Sequence, residues 1–303
     1  MNKVMRKIVT HASPDMDAIT SIWLILRYLP GWDLAEVRFV PAGQRLGNLT
    51  PEQALKLTEP IELIGGFEVL QVDTGLGPLD HHQTSDKSVC GTSLTFDFVK
   101  KNVKEGTFSP EKLEALTRIV KYVVDVDHFK EVFRKDVLEN YQNFSITDIL
   151  DGLKYQHPND DRYYVEFISL CLDALVHELE NNVWAEKEIK EKGIEFETKW
   201  GKGLGVETMN DTVVKMAQLM GYIIVVRRDP RKGYVRIKTK PDGEGEKGLD
   251  LTLTSEKLKK MDPSATWFLH VSKKMLLNGT PKNPKMKPTT LSLNDIIGVL
   301  KGV

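Results

Sequence analysis

The segment His11-Ala12-Ser13-Pro14-Asp15-Met16-Asp17-Ala18 decides how the rest of the chain is read. Lys7-Ile8-Val9-Thr10 precedes it, an apolar run of the length of a buried strand. Ile19-Thr20-Ser21-Ile22-Trp23-Leu24-Ile25-Leu26 follows it and reads as a helix packed on both sides. A strand that enters a tight polar loop and then a helix places the loop at the carboxyl end of a parallel sheet, where open α/β folds keep their sites. The loop gathers one imidazole and two carboxylates, and Pro14 stiffens it by fixing its own φ.

Working outward, Ala35 to Pro41 alternates like a strand, and Thr50-Pro51 opens a short helix with proline at its first position. Phe67 to Gly75 is a strand ending in Asp73, and Leu79-Asp80-His81-His82-Gln83 follows closely. Gly91 to Lys101 is expected to be helical. Pro110 to Val124 is a second helix, with Leu113, Leu116, Ile119, Val120 and Val123 on the 3.6 period, leading into Val124-Asp125-Val126-Asp127-His128-Phe129. Strands alternating with helices predict a Rossmann-like parallel sheet. The longest helix is expected from about Arg162 to Lys192, and its charged tail is taken as a connector. The fold class is therefore α/β. A catalytic domain over 1–185 and a connector over 186–210 lead to a smaller α+β domain over 211–303. In that last part Tyr222–Arg228 and Gly233–Thr239 flank Asp229-Pro230-Arg231-Lys232 as a hairpin, Trp267–Val271 is a strand and Leu291–Leu300 a helix. Asp242 to Gly248 reads as a mobile loop.

Composition narrows the function classes. The chain has 303 residues, of which 41% are hydrophobic and 28% charged, with a formal net charge of −1. That is a globular composition, and long duplex nucleic acid is not expected as a partner, because any anion site must be local. Cys90 and Cys171 are too few for a disulfide framework and too far apart in sequence for a metal knuckle. No apolar run approaches the roughly 18 residues of a membrane span. The first residues carry no apolar signal region, so a cytoplasmic location is expected. A homodimer is allowed by the sequence and not required by it.

Four segments in the first 130 residues put acid or imidazole groups at or near the end of an apolar run: His11/Asp15/Asp17, Asp73, Asp80-His81-His82 and Asp125/Asp127/His128. Each alone has a plainer reading. An Asp-x-Asp caps a turn, a strand-end Asp bonds its own turn, and two adjacent histidines sit in solvent. Together, at one edge of a sheet, so many carboxylates would repel one another and raise their pKa values. Divalent metals remove that conflict. A mixed carboxylate and imidazole set suits Mn²⁺ and also accommodates Mg²⁺, Fe²⁺ or Zn²⁺. Two such ions activate water and stabilise the attacking and leaving oxygens of a phosphoryl displacement.

The order His-x3-Asp-x-Asp-Ala, a strand-end Asp, Asp-His-His and a further Asp resembles the four-motif signature of the DHH phosphoesterase superfamily. That group includes RecJ-like exonucleases, short-oligonucleotide ribonucleases, cyclic-dinucleotide phosphodiesterases and family II inorganic pyrophosphatases. The resemblance covers residues from about 7 to 130, and Gly91-Thr92-Ser93 extends it. It implies that His11 and Asp15 hold one metal and that Asp17 and His81 hold the other. Asp73 and Asp125 would be shared between the two ions or lie close to both. Asp80 would orient an imidazole, and His82 would face the substrate. At the fourth motif Asp127 competes with Asp125, which is favoured because it ends the apolar run. His128 is then an extra donor.

The family's glycine-rich loop in the second domain is missing. In its place stand His270, Lys273 and Lys274, then a basic, proline-rich loop over Pro281 to Pro288 that includes Lys282, Lys285 and Lys287. With Arg227 and Arg228 on the hairpin, these residues could clamp phosphate. Solvated lysines are the plainer alternative for any one of them. The expected activity is hydrolysis of a phosphodiester in a small nucleotide or short oligonucleotide by a two-metal mechanism. The sequence leaves open a phosphoanhydride hydrolase acting on pyrophosphate, and a non-catalytic nucleotide- or metal-binding sensor.

Overall fold

Strand β1 (Arg6–His11) buries Ile8 and Val9 completely and forms the axis of the first sheet. It runs parallel to β2 (Glu36–Val40) on one side and to β4 (Phe67–Gln71) on the other. The sheet is not parallel throughout, as the strand–helix alternation suggested. β3 (Ile61–Ile64) pairs antiparallel with β4, giving the order β2-β1-β4-β3. Gly65 and Gly66, at φ +59° and +83°, supply the two positive-φ positions that a two-residue reversal needs.

In this computed structural model the described residues are 5–133, 143–242, 248–280 and 282–302. Residues 1–4 at the N-terminus, residues 243–247 of the expected mobile loop and residue 281 of the basic loop lie outside them.

Helix α1 (Met16–Tyr28) is buried over every residue from Met16 to Ile25, as its unbroken apolar stretch requires. The short α2 (Pro51–Ala54) starts at a capping box between Thr50 and Gln53. Helices α3 (Gly91–Asn102) and α4 (Pro110–Asp127) pack with α1 around Trp23, Leu116 and Ile119. Helix α5 (Ile146–Gln156) and the long α6 (Asp161–Lys192) follow. The Trp23 indole donates to Asp173 of α6 at 2.8 Å, so a fully buried ring keeps its polar atom satisfied. α4 runs on to Asp127, three residues past the expected Val124, and the fourth acidic segment is therefore the last turn of this helix.

The chain divides into two compact units, Met1–Leu179 and Glu180–Val303, with the division inside α6. The second holds a six-stranded sheet formed by β5 (Ile194–Thr198), β6 (Gly201–Glu207), β7 (Ile224–Arg228), β8 (Val235–Thr239), β9 (Trp267–Leu269) and β10 (Met275–Asn278). Their order is β5-β6-β7-β8-β10-β9, antiparallel except for β6 beside β7. Helices α7 (Thr212–Leu219), α8 (Thr252–Met261) and α9 (Leu293–Lys301) complete this unit. Residues 194–207, inside the expected connector, supply its first two strands. Residues 275–278, between the expected lysine clusters, are strand β10, with Leu276 and Asn278 buried. Among the described residues no helix is long and apolar enough to cross a membrane.

Candidate metal centre

His11 ends β1, and its position follows from the parallel pairing that fixes the strand. Its Nδ1 donates to the Ala12 carbonyl at 2.9 Å, which leaves Nε2 directed at Asp73 Oδ2, 3.3 Å away. Asp15 is the N-cap of α1. One of its oxygens accepts from the Ala18 amide at 3.0 Å, and the other lies 4.0 Å from His11 Nε2. Asp17, in the first turn of the same helix, is 2% exposed. Its carboxylate accepts from the Gly91 and Thr92 amides at 2.7 and 2.5 Å, so the amino end of α3 holds it. Unpaired amides and the helix dipole favour an anion there.

Asp73 follows β4 with φ +51° and is 3% exposed. Among the described residues, four of the six non-glycine residues in this left-handed region, Ser13, Asp73, Leu76 and Phe129, lie in or beside the acid and histidine segments. Such strain persists only where surrounding structure enforces it. Asp73 Oδ2 faces His11, and Oδ1 lies 3.5 Å from His81 Nε2. That nitrogen is also 3.6 Å from Asp17 Oδ2 and 3.6 Å from Asp127 Oδ2. Asp127 Oδ2 is in turn 3.7 Å from His128 Nδ1, while His128 Nε2 donates to the Val89 carbonyl at 2.9 Å.

Asp73 Oδ1, His81 Nε2 and Asp127 Oδ2 are all buried and have no hydrogen-bond partner among the described residues. Buried polar atoms are ordinarily paired, so three convergent orphans need a cause. Spacings of 3.5–3.6 Å are too long for hydrogen bonds. They leave His81 Nε2 and the two carboxylate oxygens available as donors to divalent cations. The donor types, imidazole and carboxylate, and the carbonyls that fix the His11 and His128 tautomers, complete the fit to a divalent cation. Among the described residues, three groups have ligand atoms close enough to hold an ion: His11/Asp15/Asp73, Asp73/His81/His82 and His81/Asp127/His128.

Charge follows the same pattern. Burial works to raise the Asp73 carboxyl, but His11 and His81 outweigh it and hold the group below its ordinary range. Burial works against the His11 cation, and the Asp73 and Ala12 contacts overcome it, pushing the imidazole up to about 9. His81 is pushed up to about 9 by Asp73, with Asp127 and Asp17 adding to the field. Asp17 is pushed up to about 8 by burial and by nearby Asp73, against the Thr92 contact. Burial likewise raises Asp127.

The remaining expected residues fall in two classes. Asp80 is 1% exposed and accepts from the Leu76 amide at 2.7 Å and from His82 Nδ1 at 2.7 Å. His82 is thereby fixed with Nε2 turned outward on a largely exposed ring. Asp125 does not join the cluster: it accepts from Lys130 Nζ at 3.1 Å on the exposed side of α4. Residues 125 and 127 are about 200° apart around a helix. Asp127 continues the buried face of Ile119, Val120 and Val123, and Asp125 cannot share it. The preference for Asp125 is corrected accordingly.

A cavity of about 310 Å³ opens on the cluster, lined by His11, Asp15, Asp73 and His82 with Ala42 and Gly43. A second lobe of about 590 Å³ shares Asp15, His82 and Asp127 and extends past Phe129 to Asp151 and Lys154. Sequence reading missed Phe129, Asp151 and Lys154, which no local pattern marks.

In the second unit the expected phosphate clamp is occupied by internal partners. Arg227 is 8% exposed; it donates to the Met209 carbonyl at 2.7 Å and lies near Asp211 and Asp229. Arg228 bonds Leu291 O at 3.1 Å and Glu207 at 2.9 Å. Lys273 pairs with Asp250 at 3.1 Å, and Lys274 with Asp242 and the Leu249 carbonyl. His270 Nδ1 contacts Ser272 Oγ at 2.8 Å, and Lys282 is exposed. The corresponding correction is that Arg227, Arg228, Lys273 and Lys274 are not open cations. Apart from Asp229, two residues from Arg227, their acidic partners (Asp211, Glu207, Asp250 and Asp242) are distant in sequence and had no local signal.

No protein-family model matches the chain, and no curated protein matches it. Among solved structures the chain is similar to a pGpG-specific phosphodiesterase, PggH from Vibrio cholerae. The identity is 12% over 92% of this chain and 94% of that one, with a TM-score of 0.26. A likeness at that level assigns no activity and no residue role.

Proposed function

We propose that the first unit is a divalent-metal-dependent phosphoesterase that hydrolyses a phosphodiester of a small nucleotide or short oligonucleotide. The observation that carries this reading is the convergence of Asp73 Oδ1, His81 Nε2 and Asp127 Oδ2, buried and unpartnered, beside the outward-facing His82. Asp73 turns one oxygen toward His11 and the other toward His81, which supports its reading as the ligand that two ions would share. Asp15 and Asp17 complete opposite ends of the set. Mn²⁺ is the favoured ion and Mg²⁺, Fe²⁺ or Zn²⁺ are alternatives. When bound, the ions supply the activated water and neutralise charge on the phosphoryl oxygens.

This chain's own residues do the rest. Asp80 accepts from His82 Nδ1 and orients the ring, so that Nε2 is turned to the cavity; an imidazolium at this position would give its Nε2 proton to the departing oxygen while Asp80 holds the other. The Ala12 and Val89 carbonyls hold His11 and His128 in the tautomers that present a free nitrogen inward. The second lobe bears on the substrate class. Glu131, Asp148 and Asp151 line it against Lys154. Such a wall repels a second phosphate group and tolerates a neutral nucleoside portion. That favours a phosphodiester over pyrophosphate.

The test is hydrolysis by chelator-treated protein reloaded with Mn²⁺, offered a di- to pentanucleotide and pyrophosphate in parallel. The expected result is oligonucleotide cleavage that is abolished in Asp73→Asn. In His82→Ala it should fall by about 10²–10⁴-fold while bound Mn²⁺ stays the same. Cleavage of pyrophosphate alone would replace the phosphodiester reading with the phosphoanhydride one. Mn²⁺ binding with neither substrate cut would leave a sensor.

A further inference from the structure

Phe129 sits where the backbone favours a different residue. It is the second residue beyond α4, its φ is +55°, and its amide donates to the Val126 carbonyl at 2.9 Å. This is the left-handed turn that closes many helices, and glycine is its usual occupant because a Cβ there crowds its own backbone. For a bulky residue such a φ is an outlier that the surroundings must enforce. The ring gains little packing in return, for it is 74% exposed. An aromatic side chain thus stands, at a cost to the backbone, in the wall of the second lobe.

Glu131 lies two residues further on, in a 3₁₀ turn (Lys130–Phe133), and lines the same lobe. Its Oε2 is buried and has no hydrogen-bond partner among the described residues. A buried acceptor without a donor costs free energy, so this oxygen needs a partner from outside. Glu131 belongs to none of the three groups able to hold an ion, so a cation does not account for it. The lobe reaches the metal cluster through Asp15, His82 and Asp127, which it shares with the first cavity. Lys154 Nζ donates to the Ser13 carbonyl at 3.3 Å, beside the loop that carries Asp15. The lobe's volume of about 590 Å³ falls within the roughly 300–1,000 Å³ of small-molecule sites.

We propose that this lobe is a nucleobase subsite, in which the base stacks on Phe129 and its exocyclic amino group donates to Glu131. Its part in catalysis rests on the phosphodiesterase reading above, while the binding of a base does not. Stacking on Phe129 accepts any base, because every base has a π face. Glu131 narrows the choice. A carboxyl oxygen accepts from the amino group of adenine, guanine or cytosine, whereas uracil presents carbonyl oxygens at the corresponding positions.

The experiment is fluorescence titration of the full chain, treated with chelator, with 2-aminopurine riboside as the probe. This nucleoside has a stacking base and an amino group but no phosphate, so neither metal nor hydrolysis enters, and its emission falls when the base stacks. The expected result is saturable quenching. Phe129→Gly should weaken binding at least tenfold without lowering the midpoint of urea unfolding, because glycine relieves the turn. Phe129→Trp should keep binding. Adenosine should displace the probe at about one-tenth of the concentration that uridine needs, a ratio that Glu131→Gln should reduce. The proposal is overturned by the absence of saturable quenching, or by quenching that survives unchanged in Phe129→Gly. It is equally overturned if Phe129→Gly loses stability along with binding, which would make the ring a packing residue, or if the two nucleosides displace the probe equally well. Protein that binds the riboside through Phe129 but, loaded with Mn²⁺, cuts no oligonucleotide would overturn the phosphodiesterase reading and leave the base subsite standing.

Discussion

Two acids two residues apart, Asp125 and Asp127, show what a single side chain's direction decides. Asp125 ends the apolar run and Asp127 follows it after Val126. Only Asp127 turns inward, toward His81 and His128, while Asp125 is held outside by Lys130. Asp127→Asn should therefore cost the chelator-treated protein at least tenfold in Mn²⁺ affinity, and Asp125→Asn should leave it unchanged, both read by titration calorimetry. A larger loss in Asp125→Asn would return the fourth ligand position to that residue. The helical period was already visible in Leu116, Ile119, Val120 and Val123, and extending it one turn reaches position 127. The reading stopped at Val124 because Asp125 breaks the apolar run, although a helix obeys rotation rather than continuity. Asp80 and His82 were legible because a short motif fixes both members locally.

At the scale of elements, α3 matters through its first turn. Its amides hold Asp17, and Gly91 makes room for that contact. A Cβ at position 91 would meet Asp17 Oδ2 at 3.0 Å and Asp73 Cβ at 3.0 Å. Alanine has the better helix propensity by about 1 kcal/mol, but both neighbours are buried and held in place. Gly91→Ala is therefore expected to lower stability in urea and weaken Mn²⁺ binding. Gly152, inside α5, supplies the control, since a Cβ there meets nothing within 4 Å. Gly152→Ala should stabilise by about 0.5–1 kcal/mol. If both changes stabilise, α3 has more freedom at its amino end than these distances allow. Most of the helices and the β7–β8 hairpin could be read from period and turn residues. The antiparallel β3 could not, because its direction depends on which strand it meets.

For the molecule as a whole, the unbalanced charge of the first unit gives a pH signature. His11 and His81 sit near 9 in the folded protein against an ordinary 6.5, and Asp17 near 8 against 3.8. In each case the folded state binds protons more tightly than the unfolded state. The histidine contribution is complete below pH 6.5 and is lost as pH rises to about 9. Asp17 adds to the same decline between 3.8 and about 8. Asp73 acts oppositely, and its contribution disappears only on acidification below the ordinary carboxylate range. Chelator-treated protein should thus melt at progressively lower temperature from pH 6.5 to 9. Mn²⁺ should flatten that slope and release protons on binding at pH 7, measurable by calorimetry in buffers of different ionisation heat. A melting temperature that rises over this range, or metal uptake without proton release, would contradict the assigned protonation.

The amino-acid sequence alone determined the kinds of chemistry available and roughly where along the chain they lie. His11, Asp15, Asp17, Asp73 and Asp80-His81-His82 follow apolar runs whose local period and turn residues are fixed by near neighbours. Tertiary structure decided which of these atoms face one another. Asp17 is held by amides more than seventy positions away, at Gly91 and Thr92. Arg227 and Arg236 became neighbours only through strand register, and Lys273 and Lys274 found their acids only across loops. The physical reason is range: helix period and turn chemistry act over a few residues, whereas the pairing of buried charge is settled by whichever partner the packed chain brings within about 4 Å.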